Sequence, residues 1–158
     1  MLVAIRVYRP IKASTRNIAS AMTTSNKCVQ EIYALGSNKL SQVRDLIKCP
    51  GDYMIPGDLS QDAKDRTALE KAPRNSYKSA FFFIGDTFYN DMRFPGCHDL
   101  SQGIREWAIE TKRNLGRFAT KKMEDTSIKD LTLRLGYPYV YVHQVEYQSV
   151  LDRLFSNP

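Results

Sequence analysis

Apolar and polar positions alternate from Leu2 to Tyr8. Val3, Ile5 and Val7 line one face, with Ala4, Arg6 and Tyr8 on the other, the period of a half-buried strand. Pro10 ends it, because proline cannot donate to a ladder. Residues 10–27 are rich in Ser, Thr, Asn and Lys and lack a period, which predicts an exposed connection. Cys28 to Leu35 reads as a second strand closed by Gly36. Ser37 is then a candidate N-cap, after which Leu40, Val43 and Ile47 recur at helical spacing with Leu46 beside them. Lys48 suits the negative helix end, and Pro50-Gly51 stops the helix. Strand, connection, strand, helix is the opening order of a ubiquitin-like β-grasp, an order that several α+β folds share.

Residues 50–78 predict a second exposed connection, with Pro56-Gly57, a short polar helix from Ser60 to Ala72, and Pro73. Phe81 to Ile84 is apolar enough for a buried strand. Gly85-Asp86 is a turn signal, and Thr87 to Tyr89 is the return strand of an aromatic hairpin. Asp86, Asn90 and Asp91 read as residues that bond their own backbone in turns. Asp99 or Ser101 caps the next helix, whose inner face is predicted to be Ile104, Trp107, Ala108 and Thr111. Thr126 or Ser127 caps a short helix carrying Ile128, Leu131 and Leu135, stopped by Gly136. Tyr137 to His143 alternates aromatic and β-branched residues as a final strand. The prediction is one α+β domain over residues 1–158: a β-grasp-like N-terminal part, an aromatic hairpin, a Trp-bearing helix and a final strand.

Composition supports a real core. Hydrophobic residues make up 42% of the chain and aromatics 11%, which argues against wholesale disorder. The net charge of +6 admits nucleic acid or an acidic partner as a target and says nothing of fold. Its distribution is more informative. Residues 1–50 hold eight Lys or Arg against two acids, and residues 105–122 hold six against two. Clustered cations are the electrostatic footprint of a nucleic-acid binder. The three cysteines, Cys28, Cys49 and Cys97, are odd in number and widely spaced, which makes neither a disulfide framework nor a paired metal motif. A reducing compartment is the simplest reading.

Chemistry-bearing clusters are few. Cys97-His98-Asp99 holds the residue types of a nucleophile, a base and an orienting acid. Adjacent side chains diverge, however, and a base must reach its nucleophile, so a turn into an Asp-capped helix is the better reading. Asp86, Asn90 and Asp91 match no Ca²⁺-loop spacing. His98 and His143 with three scattered thiols do not spell a zinc motif. The expected function is therefore non-enzymatic, without metal or other cofactor. The strongest binding candidate is the basic block of Lys112, Arg113, Arg117, Thr120, Lys121 and Lys122 around Phe118. Such cations supply most non-specific DNA affinity, and Thr120 offers close backbone approach to a phosphate. The alternative is a solvated charged face. The Tyr137–Tyr141 stripe would stack bases if exposed, but such alternation is more often core or a subunit interface.

Several ordered segments carry a resemblance. They are Ser79 to Arg93; Cys97 to Ser101 with Ile104, Glu106 and Trp107; Gly116-Arg117-Phe118 through Met123-Glu124-Asp125; and Asp130-Leu131, Leu135 to Tyr139 and His143-Gln144. Together they resemble subunit 3 of the small nuclear RNA-activating protein complex, over roughly residues 28–144. The resemblance implies a nuclear subunit that helps bind the proximal sequence element of snRNA promoters for RNA polymerases II and III. The implied partners are promoter DNA and the equivalents of subunits 1 and 4, one of them carrying Myb repeats. After His-Gln the family continues into a cysteine-rich zinc-binding region. Here Val142 stands where a family cysteine usually lies, and residues 145–158 form a divergent tail, so zinc binding by that region is not carried over. The alternative function is a protein-interaction scaffold that does not touch DNA.

Overall fold

The computed structural model describes residues 1–8, 28–53, 72–111 and 117–143. Strand β1 (Leu2–Tyr8) pairs antiparallel with β2 (Cys28–Leu35) as a two-stranded sheet. Ile5 lies opposite Ile32 and Val3 opposite Ala34. All four are buried along with Val7, so the alternation in the sequence sets this face. Helix α1 (Leu40–Leu46) follows. Ser37 does not cap it. The Gln42 side chain accepts the Lys39 backbone N–H at 2.9 Å, and Asn38 Oδ1 accepts that of Leu35 at 2.7 Å. Gly36 links neighbouring segments: its N–H donates to the Met1 carbonyl and its carbonyl accepts from the Lys129 N–H. A Cβ there would sit 3.3 Å from the Met1 Cε.

The β-grasp expectation is met only in the order of its opening elements. A grasp places its first hairpin in one mixed sheet with the later strands. Here, among the described residues, β1 and β2 pair only with each other. The later strands form a separate sheet. Strands β3 (Ala80–Ile84) and β4 (Thr87–Asn90) make the aromatic hairpin, with Gly85 at φ 66° in the two-residue turn. That left-handed conformation favours glycine. Strand β5 (Ala119–Lys122) adds parallel to β4, and β6 (Val140–His143) adds antiparallel to β3. The order is β5-β4-β3-β6.

Both faces of this sheet are used. Ala80, Phe82, Ile84, Tyr89 and Tyr141 join β1, β2 and α1 in one hydrophobic cluster that also holds Met123 and Ile128. On the other face Phe81, Phe83, Phe88 and Phe118 pack ring to ring, with centroids 4.4–5.6 Å apart. Burial on both faces explains why Phe81 to Ile84 is an unbroken apolar run.

Three expectations change. Residues 60–71 of the predicted polar helix and the tail beyond residue 143 lie outside the described residues, and Pro73 opens a one-turn helix α2 (Pro73–Ser76). Helix α3 (Gln102–Glu110) carries Trp107, but Ile104, Trp107 and Ile109 face solvent, and Ala108 is its buried residue. Asp99 fixes this rotation. Its carboxylate accepts the Ser101 backbone N–H and hydroxyl, and pairs with Arg105 at 2.6 Å. The stripe turned inward is therefore Ser101, Arg105 and Ala108. Finally, the helix over Ile128 is only a 3₁₀ turn (Ile128–Asp130), capped as expected by Ser127, and Leu135 is exposed.

Asp91 is turn chemistry as expected, its Oδ1 accepting the Arg93 backbone N–H at 3.3 Å, and it does more. It is fully buried at the exit of β4, and Arg93 returns to it with two charge-assisted bonds of 2.9 and 2.8 Å. The same guanidinium holds Asp45 of α1 by two bonds of 2.8 Å. Arg44 Nε lies 3.4 Å from Asp91, while its Nη2 donates to the Lys78 carbonyl. Hydrogen bonds from Arg93 hold the Asp45 carboxyl below its usual range, and the two carboxylates raise Arg93. Removing one partner of a buried ion pair strands the other charge, at about 3–5 kcal/mol. Asp91→Ala is therefore expected to destabilise by that order, and Asp45→Ala, half-exposed, by much less. Equal urea midpoints for the two variants would refute this ranking.

Burial raises the Tyr141 hydroxyl above its ordinary range. A raised folded value means that stability is complete below the unfolded value of about 10 and is lost progressively as pH rises from there towards the higher folded value. Tyr141→Phe keeps the ring contact with Phe82 and should flatten the alkaline limb of a urea-midpoint profile above about pH 10. An unchanged limb would assign the loss to other groups.

Candidate nucleic-acid interface

Of the six residues in the basic block, Lys112 and Arg113 lie outside the described residues. Arg117, Thr120, Lys121 and Lys122 are all exposed. Thr120, Lys121 and Lys122 lie on β5, at one edge of the four-stranded sheet. Their register divides them. Lys121 stands in the row of Tyr89, Phe82 and Tyr141, while Thr120 and Lys122 align with Phe88 and Asn90. Side chains alternate across a strand, so Lys121 leaves one face and Thr120 and Lys122 the other. The group straddles the edge and does not cover one face.

Phe118 is the anchor of this edge. Its ring meets Phe83 at 5.5 Å and Phe88 at 5.6 Å, both edge-to-face. Ala119 N–H donates to the Asp86 carbonyl and Met123 N–H to that of Asn90, which closes the parallel pairing at both ends. No ion pair among the described residues involves Arg117, Lys121 or Lys122.

The N-terminal basic block behaves differently. Arg6 pairs with Glu31, Arg44 with Asp45 and Asp91, and the Lys39 ammonium donates to the Asp125 carbonyl. Arg9, Lys12, Arg16 and Lys27 lie outside the described residues. Charge counting had no means of separating internally paired cations from exposed ones. The tyrosine stripe also divides: Tyr139 and Tyr141 are buried, and Tyr137 is exposed beneath the Arg134 guanidinium at 5.7 Å. Asp99 is engaged as an Asx turn and ion pair, and the donor atoms of Cys97, His98 and Asp99 do not converge. Those of Cys49, Asp52 and His143 do, a grouping that linear spacing concealed.

These features define an α+β protein with a cationic sheet edge. Residues 30–148 match the family model of snRNA-activating protein complex (SNAPc), subunit 3, and the chain belongs to that family. Proteins named snRNA-activating protein complex subunit 3 from Rattus norvegicus and Bos taurus are each 44% identical to it over 126 residues. The alignments cover 80% of this chain and 30% of each relative. Among the described residues no helix is long and apolar enough to cross a membrane.

Phe118→Ala removes the ring contacts that seat β5 without altering charge. It should cost roughly 1–3 kcal/mol locally. Amide exchange at Ala119–Lys122 should speed up while that of Phe81–Ile84 stays slow. Uniform acceleration across both strands would mean that β5 is not separately anchored.

Proposed function

We propose that this chain is a non-enzymatic subunit of a nuclear snRNA-activating complex that helps hold the proximal sequence element of snRNA promoters for RNA polymerases II and III. Promoter DNA and the equivalents of subunits 1 and 4 are its partners. The observation that carries the reading is the β5 edge, where Arg117, Lys121 and Lys122 are exposed and outside any described ion pair. Lys112 and Arg113 extend the same cationic segment in sequence. Cations straddling an edge suit the phosphate backbone, which positions a protein on DNA while other contacts read bases. Partner subunits would supply most of that base readout.

A second reading is a scaffold without DNA contact. It is favoured by the exposed apolar residues on the outer side of β1–β2, namely Leu2, Val29, Tyr33 and Leu35, and on α3 by Trp107 and Ile109. These suit partner subunits rather than nucleic acid.

The triple variant Arg117→Ala, Lys121→Ala, Lys122→Ala in the assembled complex should weaken promoter binding. It should also lower the slope of log affinity against log salt by about one unit for each phosphate no longer neutralised. Unchanged affinity and slope, with crosslinks from residues 117–122 only to protein, would favour the scaffold.

A further inference from the structure

Two segments far apart in sequence meet at the outer end of β6. Cys49 and Asp52 bracket a tight turn that enters the 3₁₀ helix Pro50–Tyr53, closed by the Asp52 N–H donating to the Cys49 carbonyl at 3.0 Å. His143 ends β6 and is buried. One donor atom from each of Cys49, Asp52 and His143 lies within 4.8 Å of the others, and His143 Nε2 is 3.3 Å from Asp52 Oδ1.

We propose that Cys49, Asp52 and His143 form a divalent-metal site for Zn²⁺. Around tetrahedral zinc, with bonds of about 2.0–2.3 Å, neighbouring N, O and S ligands stand roughly 3.3–3.6 Å apart. The His143–Asp52 separation is already close to that value, and the thiol needs only a short approach. Cys49 and Asp52, separated by two residues on a tight turn, share the short spacing of paired zinc ligands, and a histidine from a distant strand completes the set. The mix of thiolate, imidazole and carboxylate is borderline-soft, which favours Zn²⁺ over Mg²⁺ or Ca²⁺. The His143 ring is also oriented in advance, stacked on Tyr141 at 5.3 Å and 19°. Three protein ligands leave the fourth position to water or to another ligand. Binding takes the thiolate form of Cys49 and releases its proton. The ion would fasten the segment after α1 to the edge strand β6. Cys49 and Asp52 lie far in sequence before the family's cysteine-rich region, so two of the three ligands come from outside it.

Co²⁺ titrated into the purified 158-residue chain tests the site. One equivalent should give tetrahedral d–d bands with a thiolate-to-metal charge-transfer band, and Zn²⁺ should displace it. The charge-transfer band should vanish in Cys49→Ser and persist in the double variant Cys28→Ser, Cys97→Ser. Asp52→Asn and His143→Asn keep the thiol and should each weaken Zn²⁺ competition against a chromophoric chelator by roughly 10–100-fold or more. Absence of the charge-transfer band in the unaltered chain overturns the proposal, as does its survival in Cys49→Ser. So does an unchanged Zn²⁺ affinity in both Asp52→Asn and His143→Asn. These readouts need neither DNA nor partner subunits.

Discussion

Asp91 is a carboxylate with no access to water, and the elements around it are arranged to satisfy its oxygens. A buried charge is tolerated only when it is paired and hydrogen-bonded. Arg93 supplies that pairing from two residues away, and Arg44 approaches from α1. Because the Arg93 fork also holds Asp45, the exit of the aromatic hairpin and the first helix cannot move independently. Asn90, next to Asp91, donates to the buried Ser101 hydroxyl and so fixes the start of α3. Replacing such a pair by apolar residues is often neutral. Its contribution is therefore best seen in register: it sets which hairpin end meets which helix.

Much of the scaffold was legible in the sequence wherever a single face is buried. Val3, Ile5 and Val7 mark one side of β1, and Gly85-Asp86 between aromatic runs marks the hairpin turn. Legibility failed where a tertiary partner overrides the local pattern. The α3 periodicity pointed to Ile104 and Trp107, but Asn90 of β4 holds Ser101 at the start of the helix and Ala108 is its buried position, so both large side chains face solvent. Strand β5 carries no pattern at all. Ala-Thr-Lys-Lys is exposed at all four positions and becomes a strand only because β4 offers a free ladder edge. The β-grasp expectation failed for a related reason: element order does not specify which strands pair.

The candidate binding residues divide along similar lines. A basic block in sequence mixes cations paired within the fold with cations outside any described ion pair. Arg44 and Arg6 belong to the first kind, and Arg117, Lys121 and Lys122 to the second. The Cys49, Asp52 and His143 cluster is the opposite case. Its members lie up to 94 positions apart in the chain (143 − 49) and are united only when β6 pairs with β3.

The position of β5 has a consequence for solubility. An outermost strand presents a row of unmatched backbone N–H and C=O groups, a template for growth by strand addition. Lys121 and Lys122 project to opposite sides of that row, so a second chain docking from either side meets a positive charge at close range. Lysine is a common device for blunting such edges. The residues proposed to meet phosphate are thus placed to act as gatekeepers against edge-to-edge aggregation, and polyanion binding would neutralise that protection while covering the same edge.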